Sequence, residues 1–104
     1  LRRQRQMCIR DSREYAADSF ALTALLKNTT DAVSAWATFS QVEAFFQFSM
    51  YVERARNLDS SRTHPPAISR LRRLRNIMSD RWGKDEIGYT KTVGIRFDVM
   101  GREL

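Results

Sequence analysis

One cysteine, one histidine, two prolines and four glycines in 104 residues remove several chemistries before any motif is read. The single thiol, Cys8, has no second cysteine with which to form a disulfide or a thiolate metal site, so cysteine usage leaves the redox compartment open. With His64 as the lone histidine, no His-Glu-x-x-His helix and no Cys/His zinc cluster can be written from these residues. The glycines at 83, 88, 94 and 101 form no phosphate-cradling loop. No apolar run approaches the ~18 residues of a membrane span, and there are no internal repeats or low-complexity segments.

What is present suffices for one small domain or a piece of a larger one. Hydrophobic residues make up 42% of the chain, with six Phe, three Tyr and two Trp, enough for a modest core. A formal charge of +6 would suggest a nucleic-acid partner, but its location matters more than its sum. Arg2, Arg3, Arg5 and Arg10 lie in the first twelve residues against Asp11 alone. That stretch, Gln-Met-Cys-Ile-Arg-Asp-Ser above all, resembles translated sequencing-adapter read-through found at the ends of metagenomic open reading frames. Residues 1–12 are therefore expected to be an artefactual leader, set aside from fold reasoning, with a native basic arm as the alternative. Without them 14 basic and 11 acidic residues remain, a net charge of +3. Such a leader also implies a natural protein that continues upstream, of which this is the C-terminal part.

The remaining chain reads as mainly α, three helices followed by a strand-like tail. Residues 13–27 repeat Tyr15, Ala16, Phe20, Ala21, Leu22, Ala24, Leu25 and Leu26 densely enough for a helix packed on more than one side, with Ser12 as a possible cap. Lys27-Asn28-Thr29-Thr30 is a polar break, and Thr30 or Asp31 can cap the next helix. That helix runs from 31 to about 57, with Val33, Trp36, Phe39, Glu43, Phe46 and Met50 on one flank. Its second flank carries Val42, Phe45, Phe48 and Val52, so residues 44–52 are expected to be buried nearly all round, with an aromatic groove as the alternative. After the polar loop 58–63, His64-Pro65-Pro66 is extended and leads into a third helix carrying Ile68, Leu71, Leu74, Ile77 or Met78, and Trp82, ended by Gly83. Arg70, Arg72, Arg73 and Arg75 spread over its other sides as a solvated face. In 84–104, Ile87, Tyr89, Val93, Ile95, Phe97 and Val99 alternate with polar residues, a strand or flexible tail.

Glu14 and Asp18 stand four residues apart, hence on one helix face, where like charges cost a few tenths of a kcal/mol unless a cation sits opposite. A metal, a histidine or an arginine would serve. Glu-Tyr-Ala-Ala-Asp-Ser-Phe-Ala, followed fifty residues later by Thr-His-Pro-Pro-Ala-Ile-Ser-Arg-Leu-Arg-Arg-Leu, resembles the C-terminal half of the His-Glu-x-x-His zinc metallopeptidases. Both the CAAX-prenyl protease and heat-shock membrane metallopeptidase group and the Lit-type phage-exclusion peptidases share this pattern. The likeness covers residues 14–74. It implies a zincin-like domain that hydrolyses peptide bonds with zinc-activated water. It further implies Glu14 as a zinc ligand, Asp18 as the residue orienting a ligand histidine, and His64 as the donor stabilising the oxyanion of the tetrahedral intermediate. Arg70 occupies a pattern position where structural or electrostatic support, by pairing with a carboxylate, is expected. These roles suit their residue types.

The departure matters as much as the match. The His-Glu-x-x-His helix is missing, and with it two zinc ligands and the general base, so this polypeptide alone is expected neither to hold catalytic zinc nor to cleave peptides. The complete protein is expected to be a zinc metalloendopeptidase acting on a peptide or protein substrate, with no specific nucleic acid. Membrane association of that protein stays open, and the soluble type, with cytoplasmic placement, is favoured because no span flanks Glu14. Two readings from other classes stand beside it. One is a non-catalytic helical interaction module using the aromatic band 44–52. The other is a basic nucleic-acid-binding helical domain using Arg62, Arg70, Arg72, Arg73 and Arg75.

Overall fold

The computed structural model describes residues 2–56 and 65–91, and they are helical apart from short connections. Helix α1 is Arg2–Leu25, α2 is Ala32–Ala55 and α3 is Ala67–Trp82. Among the described residues there is no strand.

The first helix starts earlier than the sequence suggested. It runs without a break through residues 2–12, so Ser12 is an interior residue and not a cap. That leader is arginine- and glutamine-rich and contains neither Gly nor Pro, so nothing in it interrupts a helix. The second helix begins where its cap predicts, with extended Asp31 accepting a hydrogen bond from the Ser34 amide at 3.0 Å. Pro66 precedes α3 and has no side chain to cap it. Glu53, late in α2, substitutes, its Oε2 accepting from the Ala67 amide at 3.1 Å. Gly83, at φ 76°, closes α3 where a side chain would be strained.

The helix that organises the layer is α3, which packs against both α1 and α2, whereas among the described residues α1 and α2 make no close backbone approach to each other. Leu71, Leu74 and Met78 on α3 meet Leu22 near the end of α1, Leu26 just beyond it, and Ala35, Trp36, Phe39 and Phe46 from α2. Trp36 and Phe39 pack edge to face at 5.6 Å.

This arrangement corrects two burial expectations. The first helix is packed on one side only: Leu22 and Leu26 are buried, but Phe20 is 77% exposed and Leu25 is exposed as well. In 44–52, Phe46 and Gln47 are buried while Phe45 and Phe48 stand 62% and 54% exposed; Val33, placed on the core flank, is exposed too. The cause is common to both. Among the described residues each outer helix packs closely on α3 alone, and a groove lined by Leu22 and Leu25 of α1 and by Val42 and Phe45 of α2 separates the two, so a wide apolar stripe is only partly covered.

The tail differs more sharply. Residues 83–88 form a loop and Tyr89–Thr90–Lys91 are helical, where alternation had suggested a strand. Asp85 sets this geometry. Its carboxylate accepts from the Gly88 amide at 3.0 Å, the Thr90 amide at 3.0 Å and the Thr90 hydroxyl at 3.2 Å, turning the chain at Gly88 (φ 81°). The alternation at 93–99 lies outside the described residues.

Partial burial pushes the Asp85 carboxyl up, but the amides of Thr90, Tyr89 and Gly88 and the Thr90 hydroxyl outweigh it and hold its pKa below the ordinary carboxylate value. A carboxyl depressed in the folded state stabilises above its unfolded pKa of ~3.9, and that contribution disappears as pH falls through the lower folded value. Amide resonances of Gly88 and Thr90 are therefore expected to titrate together below pH ~4, and Asp85→Ala to abolish that step. A midpoint at or above the unfolded value would contradict the arrangement.

Candidate functional site

Glu14 and Asp18 lie on the same face of α1, Glu14 partly buried and Asp18 well buried, and the cation opposite them is Arg70 of α3. Its guanidinium grips Asp18 with two donors, Nε to Oδ2 at 2.8 Å and Nη2 to Oδ1 at 2.7 Å, while Nη2 lies 3.7 Å from Glu14 Oε2. Two parallel bonds from a planar fork are the strongest way an arginine meets a carboxylate. The Phe46 ring lies 5.2 Å beneath the same guanidinium, so one arginine joins all three helices. Hydrogen bonding to Asp18 raises the Arg70 pKa, burial opposes it, and the charges of Asp18, Glu14 and Glu53 add to the rise. Arg70 is thus a fixed cation.

Zinc requires three protein ligands and a fourth, open position, and the described residues do not assemble them. Among those residues no three His, Cys, Asp or Glu side chains converge. Glu14 is one carboxylate beside a guanidinium, and both oxygens of Asp18 are engaged by Arg70. His64 lies outside the described residues, so its position relative to Glu14 is not part of this geometry. Pro65, next to it, is buried, and α3 begins two residues later, three positions before Arg70.

A second ion pair was missed by sequence reasoning. Glu43 of α2, fully buried, accepts from Arg75 Nε at 3.0 Å and from Arg75 Nη2, and Gln47 Nε2 donates to its Oε1 at 3.2 Å. Burial lowers the Arg75 pKa, yet a guanidinium starts too high to lose its proton. A signal was available. Glu43 shares its flank with Trp36, Phe39, Phe46 and Met50, and an acid on a core stripe needs a cation. The arginine cluster of α3 therefore divides. Arg72 and Arg73 are exposed, the latter stacked over Tyr15 at 4.3 Å, while Arg70 and Arg75 turn inward to carboxylates.

The Asp18–Arg70 link makes a quantitative claim. Arg70→Ala is expected to cost about 2 kcal/mol by leaving the well-buried Asp18 carboxylate unpaired, and Arg70→Lys about half that, because the charge stays and the fork is lost. In a double-mutant cycle with Asp18→Ala, urea unfolding should give a coupling of about 1–2 kcal/mol. Strict additivity would mean that the contact carries no energy.

Comparison with protein-family models, curated proteins and solved structures gave no match to this chain.

Proposed function

We propose that this chain is the C-terminal part of a zinc-dependent metallopeptidase, contributing Glu14 as a metal ligand and His64 as an oxyanion donor, and inactive without the helix that supplies the remaining ligands and the base. The observation supporting this reading is the two-pronged Asp18–Arg70 bridge. It ties the Glu14-x-x-x-Asp18 face to the helix that follows His64-Pro65-Pro66, joining two motifs fifty residues apart. The mainly helical fold agrees with it. Asp18 then acts as the anchor that fixes the Glu14 face against α3.

The test is the reading frame preceding Glu14 in an independent assembly of the same locus. It should encode a His-Glu-x-x-His helix, and a protein carrying that helix should bind one zinc per chain and lose it on Glu14→Ala. A frame without the motif, or tight 1:1 zinc binding by residues 13–104 alone, would overturn the proposal.

A second reading, a helical interaction module, is favoured by one observation. Between residues 32 and 52 the only Asp, Glu, Lys or Arg is Glu43, which is buried, so the exposed face of α2 carries Phe45 and Phe48 without formal charge. Sedimentation should then show a concentration-dependent dimer. A clean monomer at all concentrations would eliminate that reading.

A further inference from the structure

The groove between α1 and α2 has a volume of about 200 Å³. Leu22 and Leu25 wall it on one side, Val42 and Phe45 on the other, and the buried Phe46 and Leu74 form its floor. Its polar edge is Asp18 and Arg70, whose charges engage each other through the two-pronged bond. An apolar void of ~150 Å³ takes one benzene ring, so the groove has the size for a single aromatic side chain.

Such a side chain stands beside it. Phe48 follows Phe45 by three residues, which places it one turn along on the adjoining strip of α2, and it is not part of the groove lining. Its ring is 54% exposed and is braced by Tyr51, with centroids 6.3 Å apart. Knob and groove therefore share one face of the molecule.

Charge decides what can approach that face. Across residues 19–26 and 32–52 the only Asp, Glu, Lys or Arg is Glu43, which is buried. Two copies of formal charge +6 repel one another, so close approach between them is confined to a face of this kind.

We propose that the occupant is a second copy of this chain, packed face to face about a two-fold axis near Phe45, with Phe48 of each copy seated in the α1–α2 groove of the other. A two-fold contact uses the same patch on both copies and so requires one that is complementary to itself, which a ring beside a ring-sized groove supplies. At roughly 200 Å² per ring, Phe45 and Phe48 leave about 230 Å² of each copy in water. Buried together with the groove walls, they form the centre of a small interface, below about 1,200 Å² in total, the class of weak and reversible association. The proposal rests on the reading of the chain as an interaction module and names its partner.

Sedimentation equilibrium of the full chain tests it. A reversible dimer is expected, and Phe48→Ala should weaken it at least about tenfold, the loss of an aromatic anchor from a pocket. Because the Phe48 ring lies outside the core, the variant should keep its thermal midpoint. Phe20→Ala is the control: that ring is more exposed, at 77%, but stands on another side of α1 and does not line the groove, so its loss should leave the dissociation constant within about twofold. A monomer at every concentration would overturn the proposal and the interaction-module reading together. A dimer indifferent to Phe48→Ala, or one weakened equally by Phe20→Ala, would overturn the proposal alone. So would a monomer that binds phosphatidylcholine vesicles through Phe48, which would assign the face to a lipid surface.

Discussion

Arg75→Ala is expected to lower the free energy of unfolding by about 3–5 kcal/mol, because it removes the cation paired with the fully buried Glu43 carboxylate. A domain of this length has roughly 5–15 kcal/mol in total, so the loss is a large share of it. The effect is asymmetric. The intact pair contributes little relative to an uncharged equivalent, since its attraction is offset by the desolvation of both groups, whereas half of it is an exposed liability inside the core. Arg75→Met combined with Glu43→Gln should therefore be far milder, below about 2 kcal/mol, because a neutral amide can still meet Gln47. Equal destabilisation of the single and double variants in urea would show that lost packing by the arginine stem, and not the stranded charge, is responsible.

Phe39→Ala should cost a similar amount, about 3–5 kcal/mol. Its ring is fully buried where α2 meets α3 and has Trp36 at its edge. Truncation removes the transfer energy of the ring and leaves a void that the neighbouring helices can only partly fill. Phe20→Ala supplies the contrast. That ring is mostly in water, and its loss should change stability by no more than about 0.5 kcal/mol. If thermal denaturation ranked the two equally, the packing described for α1 would be wrong.

Those two phenylalanines also mark how far the sequence could be read. Spacing correctly placed Phe39 on the same stripe as Trp36 and Phe46, and Leu71, Leu74 and Met78 on another, because helical period is a property of the chain itself. It narrowed the cap of α2 to Thr30 or Asp31, of which Asp31 serves, and it gave the stop at Gly83. How many neighbours a helix acquires is a tertiary fact, and the exposure of Phe20, Phe45 and Phe48 followed from α1 and α2 lying apart. The tail failed for a different reason. Ile87 and Tyr89 satisfy a strand pattern, but one carboxylate at Asp85 captured the local amides and wound the chain into a turn. At the candidate site, the shared face of Glu14 and Asp18 and their need for a cation were legible from spacing alone. That the cation is Arg70, from a helix fifty residues away, required the fold.

The central position of α3 bears on how the molecule opens and closes. With α1 and α2 each packed closely on α3, and no close backbone approach between the two among the described residues, these helices resemble two leaves on one hinge post. The α2 leaf is joined across the shorter span of sequence and holds most of the buried aromatic rings, so it should form first and persist longest, closing the smaller loop before the larger. The α1 leaf, held by Leu22, Leu26, the stacking of Tyr15 beneath Arg73 and the Asp18 clasp, can swing free while the other stays shut. Native-state hydrogen exchange should accordingly divide the helices into two protection classes, and Arg70→Ala should accelerate exchange in α1 more than in α2.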